Sequence, residues 1–155
     1  ASNKMTTCHI DISVGEEDFD IGAELEKLRM SGIGAISSFT GLVRQTADEA
    51  DLIALTLEHY PEMTSLQLHR IAERAASRWQ LGNVVIRHRV GRLLPEENIV
   101  FVGTSSAHRA AAFESCAFIM DYLKTDAPFW KKEDTSDGSR WVSARASDDD
   151  ARQKW

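Results

Sequence analysis

The stretch DYLKTDAPFWKKE, residues 121–133, sets Lys124, Lys131 and Lys132 around two large aromatics, Phe129 and Trp130. An amine held among apolar groups gives up its proton more readily than one in water, because desolvation disfavours the ammonium. A neutral lysine is a base or a nucleophile. At about 100° per residue, Arg109, Phe113, Cys116 or Ala117, Met120 and Lys124 share one helical stripe. That reading puts Lys124 on the core-facing side, at the C-terminal end of its helix, with its stem packed. The alternative is a lysine that snorkels to water and complements the helix dipole. Pro128 stops the helix, and residues 125–130 are enough to turn the chain and bring Lys131 back beside Lys124. Two facing amines repel unless an anion lies between them. Phe129 and Trp130 would wall such a pocket; a solvated Lys-Lys-Glu edge strand that resists aggregation is the other reading.

Two further groups have the chemistry to hold an anion. SSAHR, residues 105–109, leads into the same helix, whose N-terminus offers free N–H groups and a positive dipole end, with His108 and Arg109 adding charge. Ser105 or Ser106 would serve as a plain N-cap. TGLVR, residues 40–44, ends a strand at Gly41 and then presents Arg44, suited to a phosphate or carboxylate clamp, although a surface ion pair is the commoner fate of such an arginine. Arg109 and Lys124 are separated by about 22 Å at 1.5 Å per residue, so they cannot grip one small ligand within one chain. Either there are two sites, or a symmetric dimer brings one helix start to the other helix end.

The elements that must carry these groups follow from periodicity. HIDISV (9–14) alternates as a strand, and Phe19, Ile21, Leu25 and Leu28 recur at helical spacing. AISSFTGLV (35–43) reads as a strand in which Gly41 marks a close backbone approach. RQTADEAD (44–51) reads as a mobile loop, and LIALTLEHY (52–60) as a strand. Pro61 opens an amphipathic helix through Met63, Leu66, Leu68, Ile71, Ala75 and Trp79. VVIRHRVGRL (84–93) is a strand whose Arg87 and Arg89 point one way. IVFVGTSS (99–106) is apolar enough to be buried on both faces. After the helix over 107–124, FWKKE and RWVSAR are short strands flanking the Ser136-Asp137-Gly138 turn. The order β-α-β-β-α-β-β-α-β-β predicts an α+β fold with a mixed sheet and three main helices.

Length and composition bound the rest. At 155 residues the chain suits one domain, 8–145, with a tail at 1–7, whose residues 1–4 precede Met5 as a candidate cloning remnant, and an acidic tail at 146–155 expected to fray. A net charge of −6 disfavours a general nucleic-acid binder. No apolar run approaches the ~20 residues of a membrane span, and the N-terminus lacks a signal peptide's apolar stretch. Cys8 and Cys116 lie in unrelated contexts and read as reduced thiols of a cytoplasmic protein. The five histidines show no metal-ligand spacing, and His59 and His88, on strands, read as structural. There is no phosphate-binding glycine loop and no Gly-x-Ser-x-Gly elbow.

TGLVR, LTLEHYPEM, FVGTSSAHR, FIMDYLKTDAPFWKKE and RWVSAR, in that order and spacing, resemble the large, catalytic subunit of molybdopterin synthase, the MoaE family. The resemblance runs from about Gly34 to Arg145. It implies an α/β-hammerhead-like domain and a sulfurtransferase that converts cyclic pyranopterin monophosphate into the dithiolene of molybdopterin, a step in molybdenum cofactor biosynthesis. It implies sulfur delivered as a thiocarboxylate on the C-terminal glycine of a small ubiquitin-like subunit, with no resident cofactor or metal. It also implies a heterotetramer around a central homodimer. By motif, Lys124 and Lys131 become the catalytic lysines, and Leu42, Val43, Arg44, Lys132 and Glu133 substrate contacts. His108 and Arg109 would reach the phosphate from the neighbouring chain, with Arg145 a further anion contact. Leu42 departs from the family's pattern, which often has a basic residue there. A binding module without turnover is the rival reading; retention of both lysines, Arg44 and the His-Arg pair argues against it.

Overall fold

The computed structural model describes residues 7–47, 50–142, 151–153 and 155. In chain order the elements are β1 (His9–Gly15), α1 (Ile21–Glu26), β2 (Ala35–Leu42), β3 (Thr46–Ala47), β4 (Ala50–His59), α2 (Pro61–Arg78), β5 (Leu81–Arg89), β6 (Gly91–Leu93), β7 (Asn98–Ser106), α3 (Arg109–Asp126), β8 (Phe129–Thr135) and β9 (Gly138–Val142). The α+β reading and its mixed pairing hold, but the strands divide between two sheets. One has the order β1-β5-β7-β2; the other runs β3-β4-β8-β9, with β6 also pairing β4. In the first, β1 is parallel to β5, whereas β7 is antiparallel to both β5 and β2.

Strand β5 shows why the first sheet is covered on both faces. Side chains alternate along a strand. Val84 and Ile86 therefore join the core under α2 and α3, with Leu68, Ile71, Val102, Ile119 and Leu123. Val85 faces the other way and packs with Leu28 and Phe101 beneath α1. Arg87 shares that second face, where it meets Glu24 and Asp11. A third, smaller cluster fills the space against the second sheet: Val43, Leu52, Leu55, Leu57, Val90 and Leu93, with Phe129 packed on it.

Four expectations need correction. The strand read over 84–93 breaks at Gly91, whose φ of +86° is left-handed, so Gly91–Leu93 leaves the first sheet to pair with β4. The segment 44–51 is not all loop: Thr46–Ala47 pairs with Ala50–Asp51, residues 48 and 49 lying outside the described part. Met63 and Leu66 point outward, because α2 buries the stripe Thr64, Leu68, Ile71, Ala72 and Ala75 instead. The end of the tail is docked. Trp155 donates its indole N–H to Asp121 at 2.6 Å, its carbonyl accepts from Arg78 at 3.0 Å, and Arg152 pairs with Asp126 at 2.8 Å. Edge contacts to Trp79 and Phe118 explain the anchoring. Among the described residues, no helix is long and apolar enough to cross a membrane.

Gly34 ties β2 to the start of α3. Its N–H donates to the Ser106 carbonyl at 3.0 Å, and a Cβ there would stand 2.4 Å from the Ala107 carbonyl oxygen. Backbone cannot swing aside as a side chain can. Gly34→Ala is therefore expected to cost about 1–3 kcal/mol, measured as a lowered denaturation midpoint, and to disturb His108 and Arg109 next to it. An unchanged midpoint would refute the close approach.

Candidate functional site

Strand β8 decides which side chains share a surface. It pairs with β4, placing Phe129 opposite His59, Lys131 opposite Leu57 and Glu133 opposite Leu55. Because Leu55 and Leu57 belong to the small core, Phe129, Lys131 and Glu133 lie on the inner face. Lys131 is half-buried, and Glu133, 8 % exposed, is 3.8 Å from Arg140. Trp130 and Lys132 lie on the opposite face. There Lys132 stands opposite Trp141, and Tyr60 meets Trp130 edge-on at 4.8 Å. The side chains of Lys132 and Glu133, both expected at the substrate, therefore point to opposite faces of β8.

Lys124 is in the last turn of α3, as expected, but it is exposed rather than core-facing. The buried stripe of α3 is Ala112, Ser115, Cys116, Ile119 and Leu123, flanked by Phe118 and Met120. Phe113, which anchored the predicted stripe, is 66 % exposed. A helix apolar over so much of its circumference leaves the stripe ambiguous by one step of about 100°. Packing against β7 and β2 resolves it. Burial within the single chain is therefore not what would activate this amine.

The inner face of β8 carries one of a pair of stacked rings. Phe129, two residues before Lys131 on the same face, stacks on His88 with centroids 3.8 Å apart and planes 12° apart. His59 lies 6.1 Å from Phe129 with planes 30° apart, and its Nδ1 is 3.3 Å from the Thr64 hydroxyl. His88 Nδ1 is 2.8 Å from the Arg89 carbonyl, which can only accept, so that nitrogen carries the proton. Burial above all pushes the His88 imidazole down to about 4; the Lys124 ammonium and His59 add to this against the raising effect of the carbonyl. Sequence reading set both histidines aside as structural. The signal was there: His88 continues the stripe Val84–Ile86 that points at α3.

The remaining predicted contacts divide. His108 is the N-cap of α3 but makes no side-chain cap bond, the first turn has no acidic residue, and His108 and Arg109 are both exposed. Ser105 and Ser106 are not caps: they end β7, where the Ser105 hydroxyl accepts from Asn83 and Ser106 donates to Gln80. Leu42 is 52 % exposed at the end of the edge strand β2, after a register shift at Gly41, where an added Cβ would meet Val100 at 2.8 Å. Arg44 is exposed beyond it. Val43, by contrast, is 2 % exposed in the small core, with its N–H given to Glu97 and its carbonyl bonded by Glu96. Its side chain therefore packs in the core, next to the exposed Arg44. Arg145 lies outside the described residues.

Comparison with known proteins identifies the family. Residues 14–126 match the family described as MoaE protein. The molybdopterin synthase catalytic subunit of Pseudomonas aeruginosa is 53% identical over 146 residues, covering 93% of this chain and 97% of that one. Among solved structures, the molybdopterin biosynthesis MoaE protein from Burkholderia ambifaria MC40-6 superposes with a TM-score of 0.81 at 51% identity, over 94% of this chain and 97% of that one. A complex of subunits 1 and 2 of molybdopterin-converting factor from Helicobacter pylori 26695 shares the fold, with a TM-score of 0.70 at 18% identity, over 88% of this chain and 91% of that one. With most of its length matched in both sequence and fold, the chain belongs to the MoaE family.

Proposed function

We propose that this chain is the catalytic subunit of a molybdopterin synthase. It moves sulfur from the thiocarboxylated C-terminus of a small ubiquitin-like subunit onto cyclic pyranopterin monophosphate, forming the dithiolene. The observation that carries the reading is the MoaE family match over residues 14–126, with Lys124 at the end of α3 and Lys131 on the inner face of the next strand, β8. Family membership and the two-subunit complex of the Helicobacter relative support the partner.

In this reading Arg44, His108 and Arg109 hold the substrate phosphate through charge-assisted contacts. The uncapped N-terminus of α3 adds its free N–H groups. Since Arg109 and Lys124 lie about 22 Å apart along one helix, His108 and Arg109 serve the pocket of a second copy. The homodimer is then part of the site. Exposed Phe39 and Leu42 on the edge strand β2, and Phe113 on α3, leave apolar surface for such an association.

The thiocarboxylate sulfur bonds to the substrate carbon. Water deprotonated by Lys124, or Lys124 itself followed by water, adds to the carbonyl, and Lys131 stabilises the oxyanion. The C–S bond to the partner then breaks, leaving sulfur on the substrate and a carboxylate on the partner. Because Lys124 is exposed in the single chain, the partner's tail and the substrate must supply the desolvation that activates it. Sulfur comes from the partner, so no resident cofactor enters the step.

Mixing the chain with a thiocarboxylated small subunit and the pyranopterin tests this directly. Dithiolene product is the expected outcome. Tight binding of both without product would instead identify a binding module.

A further inference from the structure

We propose that His88 is a positioning residue for the lysine pair: its imidazole is the platform on which Phe129 lies, and so sets where β8, carrying Lys131, meets the end of α3, carrying Lys124. The proposal rests on the lysine assignment above and deepens it.

His88 stands where an aliphatic residue would suit the core better. It follows Val84 and Ile86 on the helix-facing side of β5 and is 6 % exposed. Burying a polar ring costs free energy unless its polar atoms are paired. The Arg89 carbonyl satisfies Nδ1–H at 2.8 Å and thereby fixes both tautomer and ring plane. The ring then lies nearly parallel to Phe129, 3.8 Å away. Lys124 from α3 and His59 from β4 are the ionisable groups whose charge acts on it; its pairing partners on β1 and β7, Val14 and Val100, are apolar.

A flat ring does two things here that other side chains cannot. Unlike leucine, it fixes the plane of Phe129, which directs Lys131 two residues further along the same face. Unlike lysine or arginine, it brings no permanent positive charge close to Lys124. An imidazole pushed down to about 4 stays uncharged through the neutral range.

The test compares His88→Phe with His88→Leu in the reconstituted complex, reading kcat and KM for the pterin separately. His88→Phe keeps the stack and is expected within a few-fold of the parent. His88→Leu keeps the burial but not the stack, and is expected to lose kcat by roughly 10- to 100-fold with little change in KM, the cost of a misplaced catalytic group. Equal activity of the two variants overturns the proposal. An independent readout is the imidazole nitrogen NMR of the parent and of Lys124→Met. His88 should stay Nδ1-protonated and neutral to about pH 4 in the parent, and titrate higher once Lys124 is gone. Titration near the ordinary value of 6.5 in both proteins also overturns it. Parental turnover in Lys124→Ala and Lys131→Ala would instead sink the lysine assignment, leaving the NMR result to judge the place of His88.

Discussion

Lys131→Ala and Lys124→Ala are each expected to lower dithiolene formation at least about 100-fold in the reconstituted complex, with the fold intact. The scale follows from what each ammonium or amine would do. Removing one donor from a preorganised oxyanion site typically costs about 10²–10³ in rate, and loss of a positioned base or nucleophile costs about 10²–10⁴. Lys131 is the more constrained of the two. It is half-buried on the inner face of β8, between Phe129 and Glu133 and opposite Leu57, so no other cation on that strand can replace it. Its neighbour Lys132 points to the other face, and Lys132→Ala should cost far less. Lys131→Arg keeps the charge but spreads it over a planar fork and should recover only part of the rate. Coincident melting curves would separate chemistry from folding. Turnover close to the parent in both alanine variants would refute the assignment of roles.

Arg87→Ala is expected to give the largest loss of stability, about 3–5 kcal/mol, or roughly a 10 °C fall in Tm for a chain of this size. Arg87 is 9 % exposed and Glu24 6 % exposed, 3.1 Å apart as an ion pair across the gap between β5 and the end of α1. On its other side Arg87 bonds Asp11 at 2.7 and 3.1 Å and the Asp11 carbonyl at 3.1 Å. Burial works hardest against the guanidinium charge, but its bonds to Asp11 and Glu24 outweigh it and raise its affinity for the proton. The Arg87 hydrogen bond in turn holds the Asp11 carboxyl below its ordinary value. Asp11 is half exposed and can return to water. Glu24 cannot, and with only Lys27, at 3.3 Å, left to pair with it among the described residues, its buried charge is largely uncompensated. A Glu24→Leu, Arg87→Met double variant removes both charges and should recover much of the loss. If the double variant is as unstable as Arg87→Ala, burial of an unpaired carboxylate is not the cause.

Much of this protein was legible before any coordinates. Strand periods of two and helix periods near 3.6 located three helices and most of the strands, because those signals reside in neighbouring residues. Pro61, Pro128 and the Ser136-Asp137-Gly138 turn ended or began elements where expected, since they act on the local backbone. The order and spacing of TGLVR, FVGTSSAHR and FIMDYLKTDAPFWKKE identified the family, and the length of α3 alone separated Arg109 from Lys124.

Tertiary contacts decided the rest, because each depends on residues far apart in the chain. Only the docking of α3 on its sheet shows Lys124 exposed and Phe113 on the outside. The pairing of β4 with β8 selects the face of Lys131 and Glu133 as the inner one and leaves Lys132 outside. Val43 has its side chain in the core cluster that holds Leu55 and Leu93. His88 owes its neutral state chiefly to burial, and its ring stack to Phe129, 41 positions later. Local sequence sets which conformation a segment prefers; which side of it meets water, and which meets charge, is set by what packs against it.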